Sequence, residues 1–168
     1  ACSPTSRTDQ TSASDRDRPA GAVIESPTVE RLAALLRSPE HPVPAGRVLK
    51  LRDGGEATPL ILHHALGGQV FYYQQLARRL SERTVLGVPA HGFDPGDPSL
   101  TSMDELVSSY VAHIRKAQAH GPYLVGGACV GGNIALEVGR RLREAGEDVP
   151  VVVMFHSHAL SPVYQKSI

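Results

Sequence analysis

Cys129 is the residue of this 168-residue chain whose setting is best suited to chemistry. It stands in Pro122-Tyr-Leu-Val-Gly-Gly-Ala-Cys129-Val-Gly-Gly-Asn133, between a short apolar run and a helical period. A nucleophile held on a tight strand-to-helix turn needs small neighbours so that the strained backbone can pack. Gly127 and Gly131 supply them in the pattern G-x-C-x-G. The side chain then projects above the C-terminal edge of a sheet. A helix starting immediately afterwards aims backbone N–H groups at it, an arrangement that favours a thiolate and stabilises an oxyanion formed on a substrate. The competing reading is a small core residue that happens to end a strand.

The other groups with reactive side chains are weaker candidates. Cys2 is the second cysteine and falls in a polar tail, so Cys129 is expected as a free thiol. His63, His64, His156 and His158 fall near the ends of apolar runs, and with Cys129 they are the residue types of a zinc site. No pair among them has the spacing of a metal motif, so no metal is expected. His63-His64-Ala65-Leu66-Gly67-Gly68 reads as a Gly-rich turn after a strand. His91 falls in a loop facing the same edge, as a specificity or packing residue.

These residues need a sheet to carry them, and the periodicity provides one. Apolar runs at 48–52, 60–64, 84–88, 123–125 and 151–155 read as strands. Helical periods lie between them. Phe71 to Leu80 carries Tyr72, Leu76 and Leu80 on one face. Ser102 to Gln118 opens with a Ser102/Glu105 capping box and aligns Val107, Tyr110, Val111 and Ile114. Asn133 to Ala145 repeats Ile134, Val138 and Leu142 and stops at Gly146. This alternation predicts a doubly wound α/β domain with a mostly parallel sheet and crossover helices on both faces.

Ahead of this domain the composition changes. Residues 1–22 hold no Leu, Ile, Val or Phe and read as a disordered linker, since they cannot bury enough apolar surface to offset chain entropy. Residues 23–38 read as a short amphipathic helix opened by Ser26 as cap, with Val29, Leu32 and Leu36 on one face. Residues 39–47, with Pro42, Pro44 and Gly46, read as a second linker. Seventeen basic residues balance seventeen acidic ones, so no field favours nucleic acid or an anionic membrane surface. No apolar run approaches the roughly 20 residues that span a bilayer. The expected setting is soluble and cytoplasmic. Because the chain begins with alanine and its pattern breaks off after the last strand, it reads as a segment of something longer.

Three stretches, in order, resemble the thioesterase domains of nonribosomal peptide and polyketide synthases, which are α/β-hydrolases. Thr58-Pro-Leu-Ile-Leu-His-His64-Ala-Leu-Gly-Gly68 is similar to the family's opening strand and turn. Val88-Pro-Ala-His-Gly92-Phe-Asp-Pro-Gly-Asp-Pro98 is similar to the next strand-end loop, and Gly121-Pro-Tyr-Leu-Val-Gly-Gly127 to the approach to the nucleophile. Residues 48–168 would then be the N-terminal part of such a domain, without its last strands, lid and base histidine. The helix at 27–36 resembles the last helix of a carrier domain.

What the resemblance implies follows residue by residue. Cys129 takes the place of the usual serine nucleophile. The oxyanion-hole donors are the backbone N–H groups of Ala65 and Val130, and Ala65 replaces the family's usual proline without affecting that role. Counting to the triad acid leads to His156, and no Asp or Glu occurs between Pro150 and Ile168. His156 is therefore a candidate partner of Cys129, or a strand-end packing residue. The implied activity is release of a peptidyl or polyketide chain by hydrolysis or cyclisation through an acyl-cysteine. The chain would arrive on the phosphopantetheine of a carrier domain, and no cofactor is bound by this domain itself. The alternatives are a stand-alone editing thioesterase and a non-catalytic domain that docks a carrier.

Overall fold

The structure, a computed structural model, describes residues 28–31, 34, 48–92 and 100–157. The expected linkers at 1–22 and 39–47, most of the helix at 23–38, residues 93–98 and His158 lie outside these residues. Within the helix, residues 29–31 and 34 are helical. The Arg31 N–H donates to Thr28 Oγ1 at 3.3 Å, and Ser26, the expected cap, lies outside the described residues. Val29 is exposed rather than packed.

The remaining elements run β1 (Leu49–His63), a single 3-10 turn (Phe71–Tyr73), α1 (Gln74–Arg79), β2 (Arg83–Val88), α2 (Met103–Ala117), β3 (Leu124–Ala128), α3 (Val130–Glu144) and β4 (Val151–Phe155). The sheet order is β2-β1-β3-β4, and β1, β3 and β4 pair in parallel. The two strands expected at 48–52 and 60–64 are joined in one extended run, yet they remain distinct arms. From Leu49 to Glu56 the partner on β2 falls from Gly87 to Arg83, and from Ala57 to His63 it rises from Arg83 to Val88. The run therefore doubles back around the start of β2. Gly54 makes this possible, since a Cβ there would lie 2.7 Å from Thr84 N and closer still to Arg83. The Gly54 N–H also donates to Thr84 Oγ1 at 3.2 Å.

Alternation along the second arm divides the core between the two faces of the sheet. Ile61 faces α2 and α3 and packs with Val107, Tyr110, Ile114, Ile134 and Val138. Leu60 and Leu62 face α1 and pack with Val70, Tyr73 and Ala77. Full burial of each such aliphatic side chain contributes about 1.5–3 kcal/mol. The first helical segment differs from the expected face at one tyrosine. Leu76 and Leu80 pack partly buried against the core as expected, with Tyr73 and Ala77 buried beside them, while Tyr72 is exposed. The segment opens with a 3-10 turn, which carries fewer residues per turn than an α-helix and turns Tyr73 inward in place of Tyr72.

The helix ends follow the predicted signals closely. Ser102 caps α2 by accepting from Glu105 N–H at 3.2 Å, and the Glu105 carboxylate accepts from Thr101 N–H at 3.0 Å. Beyond α3, Gly146 adopts φ +83° and its N–H donates to Arg143 O, while Glu147 N–H donates to Leu142 O. That pair of bonds is a Schellman motif, which satisfies the last helical carbonyls. The last helix, α3, begins at Val130, directly after Cys129 as the turn requires and ahead of the helical period that opens at Asn133.

Candidate active site

Cys129 joins the last residue of β3 to the first of α3, with φ +55° and ψ −123°. A non-glycine residue with positive φ is uncommon, and such a conformation costs on the order of 1–3 kcal/mol. Three glycines allow it. A Cβ on Gly127 would come within 2.9 Å of Gly131 Cα, one on Gly131 would lie 2.8 Å from His63 O and closer to His64 O, and one on Gly132 would lie 2.7 Å from Ser157 Cβ. Gly127 and Gly131 are the two expected from the pattern. Gly132 is a third that the pattern does not single out. The result is an exposed, free thiol at the C-terminal edge of the sheet.

Hydrogen bonds pin the backbone of this turn. The Cys129 N–H donates to Phe155 O at 3.0 Å, and Cys129 O accepts from Gly132 N–H at 3.1 Å and from Ser157 Oγ at 2.7 Å. Beneath it the Tyr73 hydroxyl accepts from Ala128 N–H at 2.7 Å and donates to His63 O at 2.9 Å. Burial pushes the Tyr73 phenol pKa upward, so the hydroxyl keeps the proton it donates. Neither Tyr73 nor Ser157 was legible as a site residue in the sequence. A tyrosine in an aromatic-rich helix and a serine after a strand carry no signal of their partners.

Opposite the thiol lies the turn after β1. Gly131 packs on His63 and His64, which brings Ala65 beside the start of α3. Ala65 O accepts from Gly68 N–H at 2.9 Å and from His64 Nδ1 at 2.7 Å, and Gly68 takes φ +75°. Among the described residues the N–H groups of Ala65 and Val130 donate to no backbone acceptor. Val130 is in the first turn of α3, where N–H groups have no intrahelical partner.

His63 and His64 are buried. Burial pushes the His63 pKa down to about 3, helped by the neighbouring His64, and neither of its ring nitrogens has a hydrogen-bond partner. Its ring stacks on Tyr110 at a centroid distance of 5.6 Å. Burial also lowers the His64 pKa, partly offset by its bond to Ala65. His64 Nε2 meets the Tyr110 hydroxyl at 2.7 Å, and that hydroxyl accepts from His91 N–H at 3.0 Å.

His156 directly follows β4 and is exposed, with φ +48°. Ala128 pairs with Phe155, so Cys129 and His156 are the next residues along two adjacent parallel strands. Both leave the sheet in left-handed conformations. Among the described residues, no group of three or more His, Cys, Asp and Glu side chains is placed to hold a metal ion. No helix among them is long and apolar enough to cross a membrane.

Comparison with known proteins fits this geometry. The sequence model of the thioesterase domain family matches residues 58–167. Aspulvinone E synthetase of Aspergillus terreus is 35% identical over 134 residues, which cover 80% of this chain and 14% of that protein. The chain thus spans about a seventh of that relative. Among solved structures, a four-domain nonribosomal peptide synthetase bound to AMP and glycine superposes with a TM-score of 0.70 at 38% identity, covering 80% of this chain and 10% of the other. The NocB thioesterase domain, in covalent complex with a fluorophosphonate nocardicin G analogue, gives a TM-score of 0.56 at 27% identity and covers 62% and 46% of the two chains.

Proposed function

Since this chain belongs to the thioesterase domain family and has its α/β-hydrolase fold, we propose that it forms the nucleophile half of a thioesterase that releases a carrier-bound peptidyl or polyketide chain through an acyl-cysteine. The carrying observation is the position of Cys129. An exposed thiol stands on a strained strand-to-helix turn, ringed by glycines that tolerate no Cβ.

In this reading the Cys129 thiolate attacks the carbonyl of a thioester presented on a carrier's phosphopantetheine. The carbonyl oxygen becomes an oxyanion held by the N–H groups of Ala65 and Val130. Collapse breaks the carbon–sulfur bond to the pantetheine, whose thiolate leaves and takes up a proton. The acyl group remains on Cys129 as a thioester. Water, or a nucleophile within the acyl chain, then attacks that thioester and restores the cysteine. Because thioester is exchanged for thioester, the acyl group keeps its reactivity, which suits release by a weak internal nucleophile. His156 is the imidazole closest to Cys129 in strand register and is assigned as its partner. The carrier is the expected protein partner, in the cytoplasm, and the domain itself needs no cofactor.

A second reading, a domain that docks a carrier without catalysis, draws on the absence of a carboxylate where the family has its acid; residues 150–157 contain neither Asp nor Glu. Intact-mass analysis after incubation with an acyl-N-acetylcysteamine thioester separates the two. The first reading expects one acyl adduct on Cys129 that is lost in Cys129→Ala. An adduct that persists in the alanine variant overturns the assignment, and an unlabelled wild type leaves the docking reading.

A further inference from the structure

The hydrogen bonds around His64 have a fixed direction that reaches from the loop after β2 to the turn after β1. Ala65 O is a carbonyl and can only accept, so His64 Nδ1 carries the proton of the 2.7 Å bond between them. Burial disfavours the imidazolium, which leaves Nε2 as an acceptor. The Tyr110 hydroxyl at 2.7 Å must then donate to it. The remaining lone pairs of that oxygen face the His91 N–H, which donates from 3.0 Å. Three bonds therefore run one way, from His91 through Tyr110 and His64 to Ala65, and bonds aligned in this manner reinforce each other.

Rigid packing surrounds the chain of bonds. Tyr110 is buried in α2, and the His91 ring nitrogen Nδ1 lies 3.4 Å from Ser109 Oγ on the same helix. At the other end, Ala65 O is shared with Gly68 N–H, so the conformation of Ala65 is set by two donors. The dihedral angles of Ala65 in turn fix where its own N–H points.

We infer that Tyr110 and His64 are positioning residues of the oxyanion hole, which tie the orientation of the Ala65 N–H to the backbone of the His91 loop. This inference rests on the acyl-cysteine reading, because it assigns the Ala65 N–H to the developing oxyanion. Tyr110→Phe removes one oxygen atom and keeps the buried ring. His64→Asn retains a donor at the Nδ1 position toward Ala65 O but loses the link to Tyr110. His64→Gln retains an acceptor at the Nε2 position but loses the link to Ala65.

The test uses the full-length protein with an acyl-N-acetylcysteamine thioester. Provided that wild type acylates Cys129, Tyr110→Phe is expected to lower kcat about tenfold with KM unchanged. That is less than the 10²–10³ associated with deleting an oxyanion donor outright. His64→Asn is expected to keep more kcat than His64→Gln. A Tyr110→Phe enzyme with wild-type kcat overturns the inference while the acyl-cysteine reading stands. A wild type that never acylates Cys129 overturns both. Independently of turnover, ¹⁵N spectra of the His64 ring are expected to show the Nδ1–H tautomer, with the Nε2 resonance moved in Tyr110→Phe. An Nε2–H tautomer refutes the relay.

Discussion

Gly131 lies against the carbonyl of His64 more closely than any side chain would permit, and a Cβ on it would also stand 2.8 Å from His63 O. The helix that follows Cys129 and the turn that carries Ala65 are thus in backbone contact. Gly131→Ala must push them apart. It is expected to lower unfolding stability by about 2–3 kcal/mol and to slow acylation of Cys129. Denaturant titration and acyl-adduct kinetics measure the two effects, and a fully stable, fully active alanine variant would show that the contact is slack.

Strain at Cys129 predicts a trade of stability against function. Cys129→Ala and Cys129→Gly both remove the thiol, but only glycine adopts φ +55° without penalty. Cys129→Gly is expected to be more stable than Cys129→Ala by about 1 kcal/mol, with neither forming an acyl adduct. Cys129→Ser should acylate poorly, since a hydroxyl depends on a general base far more than a thiol does. Thermal unfolding of the three variants checks the order. Alanine matching glycine in stability would mean that the turn relaxes.

Acid should destabilise the fold through His63. Its ring titrates near 6.5 in the unfolded chain and near 3 in the folded one. The unfolded state therefore binds the extra proton between those values. Stability is fully present above about pH 6.5 and falls by several kcal/mol from this one group as pH drops toward 3. His63→Leu removes both the orphan ring nitrogens and the titration, so the loss of stability between pH 6 and 4 should be smaller in the variant. Chemical denaturation across that range is the measurement, and identical slopes for the two proteins would count against a buried, neutral His63.

His156 follows a different logic, because it is exposed and comes directly after β4, the strand that pairs with β3. As the imidazole partner of the thiol it should speed alkylation, so His156→Ala is expected to slow the reaction of Cys129 with iodoacetamide severalfold at pH 7. His156→Asp should fold, since aspartate tolerates the left-handed conformation that φ +48° requires. An alkylation rate unchanged in both variants would leave His156 a structural residue.

The order of elements and the strand-to-helix turn at Cys129 were legible in the sequence because both rest on local patterns. Strand runs, the Ser102 cap, the Gly146 stop and the Gly127/Gly131 pair each follow from residues within one turn or strand of each other. Leu76 and Leu80 of the first helical segment do pack on the core, but Tyr73 rather than Tyr72 is the inward tyrosine, since the two are equally apolar and a 3-10 turn decides between them. The doubling back at Gly54 was visible only as a gap between two apolar runs.

What tertiary structure decided are the contacts between residues far apart in the chain. Tyr73 reaches Ala128 and His63, Tyr110 reaches His64 and His91, and Ser157 reaches Cys129. In sequence each is an ordinary aromatic or polar residue, and a tyrosine buried for its ring looks the same whether or not its hydroxyl finds a partner. Periodicity reports which face of an element is buried, because burial repeats along the chain. A hydrogen bond is a single event set by distance and direction, so only the folded backbone could assign the donors and acceptors that hold Cys129 and Ala65 in place.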